Sequence, residues 1–254
     1  MMKKLEFFVM MVLAASVTAA NGATTSLPAV ADTFIYDTDN HTSLLGPFGL
    51  NTTMSYYNNS STAGNPTFDQ FATPLVQFDL SSLPANAVIS SAILRMSFSS
   101  YNVAGQTAWD LHAMTTPWVE ASAIAATPDG SGTWAAGLGG YFGVGDYGAS
   151  LGTATVINAI NQLQSFGDIA STAQGWYDTP GSNKGLALTG FVGTPDDATD
   201  AYNGAMSLIS RSNSQTAYRP VLDITYTVVP EPASFSLMLL GSGLLLLITR
   251  RRQK

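Results

Sequence analysis

Hydrophobic and polar residues alternate with a period of two in many short stretches of the chain. In TPLVQFDL, Leu75 and Gln77 fall on one face, and Val76, Phe78 and Leu80 fall on the other. This is the period of a β-strand that packs one face against a core. The same pattern recurs between Gly, Asn, Pro and Ser clusters in ADTFIYD, AVISSAILRMSFS, TAWDLHAM, GLALTGFV, AMSLISR and PVLDITYTV. The chain is therefore predicted to be all-β, an antiparallel β-sandwich with no βαβ units.

Two stretches have helical character instead, ATVINAINQLQSF and DIASTAQGWYD. In the second, Asp168 is a candidate N-cap, and Ile169, Ala173 and Trp176 share one face. Residues 128–152 are rich in glycine and are predicted to form a long loop. No strand leads into a G-x-G-x-x-G that opens a helix, so the loop is not a dinucleotide site. No internal repeat or linker divides the body of the chain.

Composition and charge narrow the classes of function. Of the 254 residues, 46% are hydrophobic and 11% charged, which indicates a packed globular body. Between Asp32 and Asp223, fifteen carboxylates outnumber four basic residues, a formal charge near −11. So acidic a surface repels phosphate backbones, and no nucleic-acid partner is expected. The absence of cysteine excludes disulfides, thiolate metal sites and thiol nucleophiles.

Both ends of the chain have the composition of targeting segments. MMKKLEFFVMMVLAASVTAANG places two lysines before an apolar stretch and small residues, which predicts a secretory signal peptide over residues 1–22. Near the other end, the apolar run of residues 233–249 precedes Arg250, Arg251 and Arg252. This run is predicted to be a short transmembrane helix, with the basic cluster on the cytoplasmic side.

The segment VVPEPASFSLMLLGSGLLLLITRRRQK resembles a PEP-CTERM sorting signal. The resemblance assigns Val229, Pro230, Glu231 and Pro232 to the sorting motif and residues 229–254 to the whole signal. It implies a partner, the membrane transpeptidase-like enzyme exosortase, which cuts near Pro-Glu-Pro. It also implies a Gram-negative bacterium. The protein would then be anchored transiently in the inner membrane before it reaches the cell surface or extracellular matrix.

The body, residues 29–228, resembles a second family, the DNRLRE domains. The resemblance is carried by TPLVQFDLSSLPANAVISSAILRMSF, TTPWVEAS, DIASTAQGWYDTPGSNKGLALTG and ISRSNSQTAYRPVLDITYT, in the family's order. It implies a jelly-roll-like β-sandwich on a secreted or surface protein, and some members act as carbohydrate-binding modules. Much of the motif also has a structural explanation, since Asp79 can bond the backbone of the turn that follows it and Pro84 ends the strand.

Catalytic chemistry has little support in the sequence. His41 and His112 are the two histidines, and no G-x-S-x-G elbow occurs. His112 is predicted to lie on the solvent-side face of a strand. Glu120 is the one glutamate between Glu6 and Glu231 and is expected to pair with an arginine or cap a turn. No catalytic residue and no enzymatic activity are therefore predicted.

Binding chemistry has more candidates. Asp196, Asp197 and Asp200 cluster in a predicted loop and could supply oxygen ligands to a structural calcium ion, although a solvated acidic loop is the simpler interpretation. No other cofactor is expected.

Sugar binding needs exposed aromatic rings and nearby polar groups. Trp134 and Tyr141 are the candidate aromatic residues because they lie in the glycine-rich loop, whereas Trp118 and Trp176 are expected in the core. The candidate carboxylate-binding residues are Arg95, Arg211 and Arg219. The negative charge of the body favours neutral glycans over polyanions.

Together these features predict a secreted, non-enzymatic surface or matrix protein that binds polysaccharide. Two alternatives remain open, a polysaccharide-degrading enzyme and a structural scaffold without a ligand.

Overall fold

The computed structural model describes residues 22–38, 45–59, 70–101, 106–135, 141–143, 145–190 and 204–229. These residues are mostly β-strand, as the alternating pattern predicts, and every strand pairing is antiparallel. The strands are β1 (Ala23–Thr38), β2 (Thr53–Asn59), β3 (Gln70–Phe78), β4 (Ala87–Met96), β5 (Phe98–Tyr101), β6 (Gln106–Met114), β7 (Tyr147–Ile157), β8 (Gln164–Asp168), β9 (Leu186–Gly190), β10 (Gly204–Ile209) and β11 (Val221–Val228).

Strand β1 belongs to two sheets. Its first half pairs with β11, in a register that runs from Ala23 opposite Tyr226 to Pro28 opposite Val221. A bulge at residues 29–31 then redirects the strand, and its second half pairs with β3. We call the sheet of order β1–β11–β4–β8 sheet A. A bulge increases local twist and bends a strand, which lets one strand cross from one sheet to the other.

Sheet B is built around β3. One edge of β3 pairs with β1, and the other pairs with β2 near Ala72 and with β9 near Val76. Beyond β2 the sheet continues through β10 and β5, and beyond β9 it continues through β6 and β7. The sheet therefore divides into two branches after β3.

The two sheets face each other across one main hydrophobic core. Strands of sheet A contribute Leu94, Leu222 and Ile224 to this core, and strands of sheet B contribute residues that include Val76 and Trp109. Val76, Phe78 and Leu80 all lie in the main core, so the face assigned to them by the alternation in TPLVQFDL is confirmed. The arrangement is β-sandwich-like, and the finer jelly-roll topology stays a prediction.

Sheet B is also buried on its outer face. Ile35 and Leu75, which alternate with main-core residues, pack in a second core with Trp118, Trp134 and Phe142. These three aromatic residues come from the long connection between β6 and β7. The glycine-rich connection is thus a cover over sheet B, and it ends at Tyr147, where β7 begins. The loop was predicted over residues 128–152, but residues 147–152 belong to β7.

The helix predicted from ATVINAINQLQSF is wrong. The structure has the end of β7, a turn and the start of β8 in its place. Thr155, Val156 and Ile157 are β-branched and favour the strand. Asn161 has φ +54°, a left-handed conformation that ends regular structure and that asparagine tolerates.

The second predicted helix is confirmed as α1 (Ala170–Asp178). Ile169, Ala173 and Trp176 are buried together in the main core. Asp168 is not the N-cap as predicted, because Ile169 occupies that position. The Asp168 carboxylate instead accepts hydrogen bonds from the backbone N–H groups of Ala170 at 3.0 Å and Ala92 at 2.8 Å. Asp168 therefore ties the start of α1 to β4.

No helix in the described ranges has the length and apolar composition that a membrane span needs. The predicted signal peptide falls outside those ranges except for Gly22, and the predicted transmembrane segment, residues 233–249, falls outside them entirely.

We expect Gly185→Ala to destabilise the fold by at least about 2 kcal/mol, because the left-handed region alone costs an L-residue about 1–2 kcal/mol. Gly185 has φ +86°, and a Cβ there would lie 2.6 Å from the Val76 carbonyl oxygen. Gly181 is the matched control, since a Cβ there would meet nothing within 4 Å. Urea unfolding of both alanine variants measures the difference, and equal midpoints would contradict this account of β9.

Candidate functional site

Arg211, Glu120 and Asp32 form a charged cluster that joins three distant parts of the chain, here called the Arg211 cluster. The guanidinium of Arg211 binds Glu120 through both carboxylate oxygens, with Nε 2.6 Å from Oε1 and Nη2 in contact with Oε2. The backbone N–H of Arg211 donates to Asp32 Oδ2 at 2.6 Å, and the backbone N–H of Asp32 donates to Glu120 Oε1 at 3.1 Å. The predicted pairing of Glu120 with an arginine is therefore confirmed.

Asp32 is the buried member of this cluster, with 1% of its surface exposed. Burial raises the pKa of Asp32 to about 6, and the neighbouring Glu120 carboxylate adds to the rise against the hydrogen bond from the Arg211 backbone. The hydrogen bond to Glu120 raises the pKa of Arg211. Since Arg211 already has a bidentate carboxylate partner within the protein, the cluster holds the fold together and does not present a free cation.

The other two candidate arginines also have internal partners. Arg95 Nε lies 2.6 Å from Asp223 Oδ2 on the outer face of sheet A. Arg219 donates to the backbone carbonyl of Asn213 from Nε at 2.7 Å and from Nη2 at 2.5 Å. The structure does not bring the three arginines together into one anion-binding surface.

Trp134 is not the exposed aromatic residue that its place in a glycine-rich segment predicts. Its side chain is 2% exposed in the second core, and its Nε1 donates to the Ile124 carbonyl at 2.9 Å. A sugar would therefore have no free ring face to stack on. Tyr141 is partly exposed. Trp118 and Trp176 are buried, which confirms their predicted place in the core.

His112 is more enclosed than its predicted position on a solvent-side strand face, since 12% of its side chain is exposed. Nδ1 lies 2.9 Å from the Gly148 carbonyl oxygen, and Nε2 lies 3.0 Å from Thr189 Oγ1. The difference arises because β7 and β9 flank β6 on both sides and bring partners to the ring. Both ring nitrogens therefore have partners within sheet B.

The predicted calcium ligands Asp196, Asp197 and Asp200 lie outside the described residues. Within the part of the chain that is described, no three His, Asp or Glu side chains are grouped in a way that could hold a metal ion. A structural calcium ion at the predicted aspartates stays a prediction.

A groove of about 960 Å³ lies where β3, β4 and α1 meet. We call it the C-terminal groove because Val229 lines it. Its polar lining comes from β3, the turn between β3 and β4, and the segment around α1: Gln77, Asp79, Ser81, Asn86, Gln174, Tyr177, Asp178 and Asn183. Apart from Asp79, which was expected to bond a turn, these residues were not selected from the sequence, because amides and tyrosines carry no motif of their own.

Several of these polar groups are held in place by hydrogen bonds to the surrounding backbone. Gln174 Oε1 accepts from the Ile89 N–H at 2.7 Å, and Tyr177 donates to the Pro84 carbonyl at 2.7 Å. Asn183 Nδ2 donates to the Phe78 carbonyl at 2.7 Å. The groove therefore has a fixed wall of amide and hydroxyl groups.

Two exposed carboxylates, Asp79 and Asp178, lie at the groove. Hydrogen bonds from the backbone N–H and hydroxyl of Ser81 lower the pKa of Asp79. The first of these bonds, 2.9 Å from the Ser81 N–H to Oδ1, confirms the predicted turn. Among the described residues that line the groove there is no lysine or arginine. The groove is thus suited to accept hydrogen bonds from hydroxyl groups and unsuited to anions.

The sorting motif begins at the rim of this groove. The backbone N–H of Val229 donates to the Asn86 carbonyl at 3.0 Å, directly after β11 ends at Val228. Pro230, Glu231, Pro232 and the basic cluster Arg250–Arg252 lie outside the described residues. The described body therefore reaches the first residue of the motif.

Comparison with protein families finds a match to the PEP-CTERM protein-sorting motif over residues 228–253. Comparison with curated proteins finds no match. The chain carries a PEP-CTERM sorting motif, which marks it as an exported protein that is sorted through the membrane. Signals of this type are generally recognised by exosortase.

We expect Asp32→Asn to change how stability depends on pH. In the folded protein Asp32 keeps its proton up to about pH 6, whereas the unfolded carboxyl loses it near 3.8. The native state therefore binds more protons between these values, and the free energy of unfolding falls as pH rises through them, by about 3 kcal/mol. The amide oxygen of the variant can still accept the Arg211 N–H, but the amide does not titrate. The free energy of unfolding of the variant, relative to that of the wild type, should therefore rise as pH increases from about 4 to about 6.

Urea unfolding of the mature protein at several pH values between 4 and 7 tests this expectation. Asp79→Asn is the contrast, because the lowered pKa of Asp79 contributes stability that is lost only below about pH 3.8, so the difference between this variant and wild type should stay nearly constant from pH 4 to 7. A constant difference between Asp32→Asn and wild type at all pH values would show that Asp32 does not titrate in this window.

Proposed function

We propose that exosortase in the inner membrane cuts this protein near Pro230–Glu231–Pro232 and delivers the body to the cell surface or extracellular matrix of a Gram-negative bacterium. The motif match over residues 228–253 supports processing at this site. The end of β11 at Val228 supports it further, because the motif follows the last strand of the body with no intervening domain.

We propose that the body is a non-enzymatic module that binds polysaccharide in the C-terminal groove. The observation that carries this proposal is the lining of the groove, about 960 Å³ bordered by amides, hydroxyls, two carboxylates and the half-buried aromatic ring of Tyr177. Sugars are recognised by polar groups that bond hydroxyls beside apolar or aromatic surface. The resemblance of the body to DNRLRE domains, some of which bind carbohydrate, is in keeping with this role.

The groove favours a neutral glycan. Asp79 and Asp178 place negative charge at the groove and would repel a uronic-acid polymer. The three candidate arginines that could attract one are occupied by Glu120, Asp223 and the Asn213 carbonyl. Each carboxylate can instead accept hydrogen bonds from sugar hydroxyls, and such charge-assisted bonds are stronger than neutral ones.

A polysaccharide-degrading enzyme is the rival from another class. Glycoside hydrolysis needs a second carboxylate that stays protonated near neutral pH to act as the acid. The pKa of Asp79 is lowered by Ser81, which suits an acceptor and opposes a role as proton donor. A ligand-free scaffold is the third alternative, and the two assays below separate all three.

Mass spectrometry of the extracellular protein should find a C-terminus at or near residues 230–232. In cells that lack exosortase, we expect the full chain, including Arg250–Arg252, to remain in the membrane fraction. The membrane fraction of the parent strain is the control. Extracellular protein that retains Arg250–Arg252 would contradict processing at this motif.

The mature protein should bind neutral polysaccharide without generating new reducing ends, and Asp178→Ala should weaken binding about tenfold or more, since a hydrogen bond to a charged group contributes about 1.5–3 kcal/mol. Asp129→Ala is the matched control, because Asp129 is exposed but does not line the groove. A glycan array followed by calorimetry measures both. New reducing ends would indicate a polysaccharide-degrading enzyme. Binding to no glycan would support the third alternative, a structural scaffold without a ligand.

A further inference from the structure

Two valines are exposed where the body meets the sorting motif, and we call them the valine patch. Val88 is 48% exposed and Val229 is 51% exposed. Val88 pairs with Thr227 of β11, Val229 bonds the carbonyl of Asn86 two residues before Val88, and both valines line the C-terminal groove. β-Branched apolar side chains exposed together in one groove are a surface that a partner can cover.

The distance from this patch to the membrane segment is short. Only Pro230, Glu231 and Pro232 separate Val229 from the predicted transmembrane run, which begins at Ala233. A fully extended chain spans at most about 3.6 Å per residue, so these four steps cover about 14 Å at most. Before cleavage Val229 therefore lies within about 14 Å of Ala233, where that predicted run starts.

This distance constrains the enzyme that cuts the motif. The polar layer of a bilayer occupies about 5–7 Å on each side of its hydrocarbon core, so roughly half of the 14 Å is already taken. A single helix is about 10–12 Å across. An enzyme that binds residues 230–232 therefore cannot fit between the body and the membrane without touching the body.

We propose that the valine patch is a docking surface for the sorting enzyme, which contacts the folded body at Val88 and Val229 while it binds the motif. This inference rests on the proposed processing at residues 230–232. The partner surface would be apolar, and basic groups beside it would complement Asp79 and Asp178, which line the same groove as Val88 and Val229. Anionic lipid is the less suitable occupant, because these two carboxylates would repel it.

The test compares cleavage rates of the full chain in living cells. Val88→Asp should slow conversion of precursor to mature protein at least fivefold, since a carboxylate in an apolar contact costs about 1–3 kcal/mol. Val119→Asp is the matched control, because Val119 has similar exposure, 49%, and lies in the cover of sheet B. Val88→Thr keeps the β-branched shape and serves if Val88→Asp fails to fold.

A second pair of chains separates docking from folding. Ten glycine and serine residues inserted between Val229 and Pro230 would lengthen the connection and let the enzyme reach the motif without the body. In this background Val88→Asp and its parent should be cleaved at the same rate. Pulse–chase labelling gives the rates, and thermal unfolding of each mature protein confirms that the body is folded.

The outcomes are distinguishable. Equal cleavage of wild type, Val88→Asp and Val119→Asp overturns the docking surface, as does equal slowing of both variants. Slowing by Val88→Asp that persists with the insert also overturns it, because docking would then not depend on the short connection. If the unmodified chain is not cleaved at residues 230–232 at all, the proposed processing itself is wrong.

Discussion

The ion pair between Arg211 and Glu120 holds the long cover of sheet B against the rest of the fold. Glu120 belongs to the cover, Arg211 to the segment after β10, and Asp32 to the bend of β1. A bidentate guanidinium–carboxylate pair fixes both partners in one geometry. Because the outer face of sheet B is apolar, the second core depends on that cover staying in place. Burial of Asp32 beside the pair raises the pKa of its carboxyl and makes this junction sensitive to pH.

The fold could be predicted from sequence where local patterning and tertiary packing agree. In β3, the alternation of Val76 and Phe78 with Leu75 and Gln77 already assigns the main-core face. The pattern could not show that Leu75 is buried as well, because the residues that cover it are about forty or more positions away. The stretch from Ala154 to Phe166 misled the prediction, since its apolar spacing fits a helix while its β-branched residues and Asn161 form a strand and a turn.

Some features of the candidate sites could likewise be predicted from the sequence, and others depend on the fold. The pairing of Glu120 with an arginine was expected from its place in the Trp-x-Glu segment that resembles DNRLRE domains, but the sequence did not show that Arg211 is the partner. Trp134 was misplaced because a glycine-rich segment is expected at the surface, and only the outer face of sheet B explains its burial. The groove was not predicted, since its amides come from β3 and from the segment around α1, and the fold alone brings them together. The sorting motif was found from sequence because it is contiguous.

The pairing of β1 with β11 has a consequence for the order in which the protein is completed. Thr24 and Thr225 lie 201 positions apart, yet their hydroxyls meet at 3.2 Å. In sheet A, β11 stands between β1 and β4, so neither neighbour can finish its ladder until the last strand has arrived. That strand is joined directly to the segment that the sorting machinery reads. A chain that is being synthesised can therefore complete its sandwich only after β11 has been made, just before the sorting segment. A chain whose synthesis stops before β11 lacks a strand between β1 and β4 of sheet A.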